Sequence, residues 1–101
     1  MYYKNRMPFL QIENYELNED IVKSIPEKVC RDLQIIGIDR FEGQNNKILT
    51  IGIVDSKNIH AQSIVKQITG YDVISFKIDM QSWAKKLNEV LYNNQSKEKK
   101  R

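Results

Sequence analysis

Asp55 and His60 are the residues of this chain whose types and spacing most resemble an acid–base pair. They lie five positions apart, and a carboxylate close to an imidazole can take up and deliver protons at neutral pH. No serine or cysteine is placed to serve as the nucleophile that such a pair would activate. We therefore interpret Asp55 as a loop or helix-capping residue and His60 as a surface residue in a first helical turn, and we predict no catalytic residue.

A group of carboxylates near a predicted helix start raises the question of a metal site. The group comprises Glu13, Glu16, Glu19 and Asp20. Acidic side chains are favoured at helix N-termini because they offset the positive end of the helix dipole, and we interpret the group in that way. The single histidine and the single cysteine, Cys30, cannot supply a zinc site or an internal disulfide. The sequence therefore predicts no metal site.

Nucleotide binding also lacks its usual sequence signals. Neither a GxxxxGK loop nor a GxGxxG loop occurs in the chain, and the five tyrosines are scattered instead of forming a stacking surface for bases. Cys30 lies on the apolar side of a predicted helix, where we expect it to be a small core residue. A lone thiol of this kind suits a reducing, cytosolic compartment. We predict no bound cofactor.

Residues 47–78 carry the clearest structural pattern, which reads strand, turn, helix, glycine, strand. Residues 48–55 are apolar and rich in β-branched side chains, and residues 72–78 alternate in the same way. Between them, residues 59–68 are amphipathic at helical spacing and stop before Gly70, the expected left-handed residue after a helix. Because such a crossover is almost always right-handed, the two strands should be parallel.

A hairpin is predicted upstream, with residues 34–41 and 47–55 joined by the polar turn 42–46. The second strand has apolar residues on both faces, so we expect a central strand covered on both sides. Gly52 is a glycine inside that strand, which can allow another chain segment to approach closely. Residues 8–12 are predicted to form either a short edge strand or an extended arm.

Helix boundaries follow from capping residues. Asn18 or Asp20 should cap a first helix, Pro26 should begin a second one over residues 26–33, and Ser56 or Asn58 should cap the helix after the second strand. A last helix is predicted over residues 81–93, with its buried side formed by Trp83, Leu87, Val90 and Leu91. The expected fold class is α+β: a small three-stranded mixed β-sheet, made of a β-hairpin plus a β-α-β crossover, packed with about four helices.

Length and charge limit the function classes. A chain of 101 residues makes one domain at most, which we place at residues 1–93, with 94–101 as a disordered basic tail or linker. Four of the 16 basic residues and one of the 13 acidic ones lie in the last five positions, so the rest of the chain carries no net formal charge. We therefore expect no nucleic-acid partner. No apolar run approaches a membrane span, and the polar start is unlike a signal peptide, so we expect a soluble, unexported chain.

Several motifs in a fixed order resemble a known family. Residues 7–12 (MPFLQI), residues 15–17 (YEL) and the segment IPEKVCR at residues 25–31 come first. They are followed by IGIVD at residues 51–55 and ITGYDV at residues 68–73. Together they resemble the N-terminal domain of type II secretion and type IV pilus assembly ATPases, of which general secretion pathway protein E is the example. In that family an Asp-Pro pair usually ends the second strand, whereas Ser56 follows Asp55 here.

This resemblance implies a non-catalytic docking and regulatory domain of such an ATPase. Its expected partners are the cytosolic part of an inner-membrane secretion or pilus subunit and the ATPase core, without direct membrane insertion. The expected location is cytoplasmic and peripheral to the inner membrane through that partner. The chain would be the accessory part alone, either a piece of a longer ATPase or a short stand-alone relative.

Two alternatives stay open. Many family members bind cyclic di-GMP through paired Arg-Leu-Gly motifs; no Arg-Leu-Gly sequence occurs here, so that site is carried over to no residue. A nucleotide-sensing domain with a divergent site is nevertheless the second hypothesis. The third is a small nucleic-acid binder that acts through the basic tail.

Overall fold

The computed structural model describes residues 7–93, apart from the side chain of Asn93. The predictions for residues 1–6 and for a disordered tail at 94–101 fall outside the described residues. The elements are α1 (Glu19–Val22), α2 (Glu27–Leu33), β1 (Ile35–Glu42), β2 (Lys47–Ile53), α3 (Ala61–Thr69), β3 (Asp72–Lys77) and α4 (Met80–Asn88), with a 3₁₀ turn at Ile12–Asn14 and a π-helical turn at Glu89–Asn93.

The three strands form one mixed sheet in the order β1-β2-β3. β1 and β2 pair antiparallel as a hairpin, and β2 and β3 pair parallel across α3. Gly70 ends α3 with a left-handed φ of 79°, so the predicted helix stop and the predicted parallel crossover are both confirmed. The expected α+β fold with a central β2 is confirmed as well. The hairpin register shifts between Gly37 and Asp39, which marks a bulge at Ile38.

Helices α1 and α3 cover one face of the sheet. This face carries Leu49, Ile51 and Ile53 of the central strand, all fully buried. Gly37 pairs with Ile51, and a Cβ atom on Gly37 would stand 2.8 Å from the carbonyl oxygen of Ile21 in the segment of α1. Ser75 also pairs with Ile51 and accepts a hydrogen bond from the Gln62 amide of α3. Part of the core therefore lies between this face and the two helices, and the same buried cluster also includes Cys30 of α2 and Trp83 and Leu87 of α4.

The opposite face is covered at one end only. At Gly52 the space is filled by Ile78, whose Cδ1 and Cγ2 atoms would both stand 2.8 Å from an added Cβ, and by Ile38. Toward the hairpin turn, Ile48 and Thr50 of the central strand are only half-buried. The prediction of a strand covered on both sides is therefore correct at Gly52 and wrong at the hairpin end, where residues 7–93 leave Ile48 and Thr50 partly exposed.

The helix starts agree with the sequence for α1 and α2 and differ for α3. The Asn18 side chain accepts hydrogen bonds from the backbone of Asp20 and Ile21, as one of the two predicted caps. Pro26 is itself the N-cap of α2, one residue before the helix. Neither Ser56 nor Asn58 caps α3, because β2 ends at Ile53 and the connection continues to His60, which occupies the N-cap position without a side-chain bond.

The chain ends of the described region also pack on the sheet. Phe9 forms a parallel bridge with Lys77, and the backbone N–H of Lys77 donates to the carbonyl of Pro8 at 2.8 Å. The segment is thus an extended arm that adds one bridge beyond β3.

The last helix begins at Met80 with Asp79 as its cap, and its four predicted core residues, Trp83, Leu87, Val90 and Leu91, are all buried.

Candidate docking surface

Asp55 and His60 do not form an acid–base pair. The Asp55 carboxylate accepts a hydrogen bond from the backbone N–H of Lys57 at 3.0 Å, which shapes the loop after β2. His60 is exposed at the start of α3, and none of the hydrogen bonds described for residues 7–93 joins it to Asp55. Both residues therefore have the structural roles that the sequence indicates.

Two of the four carboxylates near α1 interact with different side chains. Glu13 accepts a hydrogen bond from the Ser82 hydroxyl at 3.0 Å, and Glu19 pairs with Lys23 at 2.6 Å. Within residues 7–93, no three His, Cys, Asp or Glu side chains come together in a way that could hold a metal ion.

Cys30 is buried on the inner side of α2, with its sulfur 3.7 Å from the carbonyl oxygen of Ile25. Burial raises the pKa of its thiol to about 12, and the nearby negative charge of Glu27 raises it further than Arg31 lowers it. Because the thiolate is the reactive form of cysteine, this side chain is inert at neutral pH and serves as core.

A polar cluster ties α2 to the C-terminal turn. Glu27 accepts hydrogen bonds from the Tyr92 hydroxyl and from Arg31 Nε, the latter at 2.9 Å, and Arg31 also donates to Asn88 at 2.9 Å. The hydrogen bond from Tyr92, and then that from Arg31, lowers the pKa of the Glu27 carboxyl. The cluster borders a shallow, mainly apolar cleft of about 290 Å³ that Cys30 also lines. In the described part of the chain every buried side-chain nitrogen and oxygen has a partner, so no unpaired buried group points into this cleft.

Residues 7–93 leave part of one sheet face only partly covered. This part is here called the open face and is defined as Phe41, Ile48, Thr50, Ile74 and Phe76. Phe41 of β1 lies opposite Ile48, and Ile74 of β3 lies opposite Thr50. Phe41 is 56% exposed and Ile74 is 46% exposed. A contiguous apolar patch on a sheet is typical of a contact surface for another protein.

Sequence reasoning missed the open face because it took apolar residues on both sides of β2 as a sign of full burial. A usable signal was present on the neighbouring strands. Asp39 and Asp72 occupy positions on the same face as Phe41 and Ile74, since Asp39 pairs with Thr50 and Asp72 pairs with Ile48. A carboxylate in the register of a buried face indicates that part of that face is in contact with water.

Among the described residues, no helix combines the length and the apolar character that crossing a bilayer requires.

Comparison with known proteins places the fold in a family. The family model described as the MshEN domain matches residues 5–94. A solved structure described as "Structure of MshE with cdg" superposes with a TM-score of 0.70 at 19% sequence identity, over 83% of this chain and 58% of that chain. The chain thus spans less than two thirds of the length of that structure, and at this identity the likeness concerns the fold alone. A search among curated proteins found no match. Because the family model covers nearly the whole sequence, the chain belongs to the MshEN domain family, the N-terminal domains of type II secretion and type IV pilus ATPases.

Proposed function

We propose that this chain is a non-catalytic docking and regulatory domain of a type II secretion or type IV pilus assembly ATPase. The observation that carries the proposal is membership of the MshEN family over residues 5–94. The site geometry supports it, because Asp55 and Glu13 accept structural hydrogen bonds and Cys30 is buried, whereas the open face includes exposed apolar side chains. The domain would offer a surface, while the chemistry would belong to an ATPase core.

The partner in this proposal is the cytosolic part of an inner-membrane secretion or pilus subunit. The domain would hold the motor to that subunit and so transmit the motion of the ATPase to the assembly platform. It would act in the cytoplasm, peripheral to the inner membrane through its partner, and would not insert into the bilayer itself.

A binding titration tests the docking role. The chain would be titrated by isothermal calorimetry with the cytosolic domain of the inner-membrane platform subunit encoded in the same genome. We expect saturable binding in the micromolar range, as is common for non-obligate contacts of modest area. The absence of binding at several hundred micromolar would overturn the proposal.

Cyclic di-GMP binding is the second candidate function. It is favoured by one observation, the likeness in fold to a structure described as MshE with cdg. Against it, the chain has no Arg-Leu-Gly sequence. Calorimetry with cyclic di-GMP separates the two functions: the docking proposal predicts no heat of binding, and saturable binding at low micromolar concentration would favour nucleotide sensing instead.

A further inference from the structure

The open face, we infer, binds an amphipathic helix of the protein partner, and the apolar stripe of that helix is flanked by basic residues. The inference rests on the proposed docking function and names the surface and the partner chemistry. It draws on the dimensions of the open face, its apolar composition and its charge.

The open face has the width of a single helix. Adjacent strands lie about 4.8 Å apart, so the outer strands β1 and β3 are separated by about 10 Å. An α-helix with its side chains is about 10–12 Å across. Phe41 and Ile74 on the outer strands, with Ile48 and Thr50 between them on the central strand, form a floor of this width. Helices α1 and α3 already pack on the other face of the same sheet.

The apolar groups continue the packed part of the same face. At the Gly52 end, Ile36 is fully buried and Ile78 fills the space above the glycine. The open face begins beside this filled region, at Phe76 and Thr50, which are half-buried. A helix that lies along the open face would therefore meet an existing packed edge as well as the exposed side chains of Phe41 and Ile74.

The open face carries one exposed carboxylate that has no ion-pair partner among residues 7–93. The Asp39 carboxylate lies in its register, is exposed, and within residues 7–93 accepts a hydrogen bond only from the backbone N–H of Arg40, at 2.8 Å. Asp72 begins β3 in the same register, but its carboxylate is paired with Lys66 of α3 at 3.0 Å, so the negative charge of the open face comes from Asp39.

No basic residue of the three strands projects from the open face. Arg40, Lys47 and Lys77 pair with Leu49, Glu42 and Ile53, so all three belong to the helix-covered side. Lys77 Nζ donates to the Val54 carbonyl at 2.8 Å, and Lys47 lies 5.1 Å from the centre of the Tyr71 ring. An apolar surface with the exposed Asp39 carboxylate and no basic residue of its own strands favours a partner helix with lysine or arginine beside its apolar stripe. The same charge disfavours binding of the open face to an anionic membrane surface.

The test uses two defined peptides and the full chain. One peptide is an amphipathic helix of about 18 residues built from Leu, Ala and Lys, with leucines at helical spacing; its twin carries Glu in place of each Lys. We expect the lysine peptide to bind at least about tenfold more tightly than its twin. Asp39→Asn should reduce the difference in affinity between the two peptides. Equal affinity of the two peptides for the wild-type chain would overturn the charge argument and with it the inference.

Substitutions on the open face locate the binding. Phe41→Ser and Ile74→Thr should each weaken binding of the lysine peptide by at least about tenfold. Ile59→Ser is the matched control, because Ile59 is 77% exposed in the loop before α3, and it should leave binding unchanged. Circular dichroism verifies that each variant is folded, and Ile74→Thr keeps a β-branched residue in the strand. If the control and the open-face variants lost the same amount of affinity for the lysine peptide, the inference would be overturned.

The same variants separate this inference from the proposed function. If the wild-type chain binds the platform subunit and both open-face variants bind it equally well, docking stands and the open face is not the site. If the wild-type chain binds no subunit but binds the lysine peptide through the open face, the partner assignment fails and the surface assignment stands. Sedimentation of the chain alone should show a monomer; a dimer that Ile74→Thr dissociates would overturn the inference in favour of a second copy.

Discussion

At the scale of single residues, Gly37 and Gly52 allow other parts of the chain to pack closely against the two faces of the sheet. A Cβ atom on Gly37 would stand 2.8 Å from the backbone carbonyl oxygen of Ile21, whereas one on Gly52 would stand 2.8 Å from side-chain atoms of Ile78. A side chain can shift to another rotamer, but a carbonyl oxygen moves only with its helix. The two glycines are therefore tolerant of substitution to different degrees.

Gly52→Ala should lower the free energy of unfolding by about 1–3 kcal/mol, as expected for overpacking, and Gly37→Ala should lower it by more. Urea denaturation measures both. In an Ile78→Ala background the cost of Gly52→Ala should shrink by at least about 0.5 kcal/mol, because the obstructing atoms are gone. An unchanged cost in that background would contradict the contact.

Cys30 provides a pH-dependent prediction. In the folded state burial raises the pKa of its thiol from an ordinary value of 9.0 to about 12. Between these values the unfolded chain has lost the proton and the folded chain has kept it, so stability falls as pH rises. Wild type should lose up to about 1.4 kcal/mol per pH unit more than Cys30→Ala above pH 9. Denaturation of both proteins at pH 7, 9 and 10 measures the difference, and parallel curves would contradict it.

Residue types identified most of the core but could not show which surface stays uncovered. Cys30 and Trp83 were correctly predicted as core from their helical spacing, and both are buried. Phe41 and Ile74 are just as apolar, yet both are exposed in the described part of the chain. Exposure of this kind depends on the placement of distant elements, which the local sequence does not encode.

At the scale of elements, strand order and helix order followed from periodicity, while several boundaries did not. Gly70 ended α3 as predicted because a left-handed residue is a local requirement. Gln34, predicted as the first strand residue, instead ends α2 with a left-handed φ of 56°. Nothing in its type indicates this, since the conformation is imposed by the change of direction between α2 and β1.

The helix caps make a matched pair of substitutions. Asn18→Ala should lower the free energy of unfolding by about 1 kcal/mol, because its side chain accepts the backbone N–H of Asp20 at 2.7 Å. Asn58→Ala should change it by less than about 0.5 kcal/mol, because the N-cap of α3 lies at His60 instead. Thermal or urea denaturation compares them, and a larger loss for Asn58→Ala would contradict the observed start of α3.

At the scale of the whole molecule, a three-stranded sheet is covered by helices on one face and only partly on the other. Among residues 7–93, no three His, Cys, Asp or Glu side chains come together in a way that could hold a metal ion. Family membership was reachable from the sequence because it rests on the order of short motifs along the chain. The open face could not be predicted in this way, because it depends on how residues of three different strands lie beside one another in the sheet.

The measurement that tests the docking role most directly is a two-dimensional NMR titration of the ¹⁵N-labelled chain. One sample receives the cytosolic domain of the inner-membrane platform subunit and a second receives cyclic di-GMP. Docking predicts saturable shift changes with the subunit and none with the nucleotide. An unchanged spectrum with the subunit at several hundred micromolar, or saturation by cyclic di-GMP at low micromolar concentration, would contradict it.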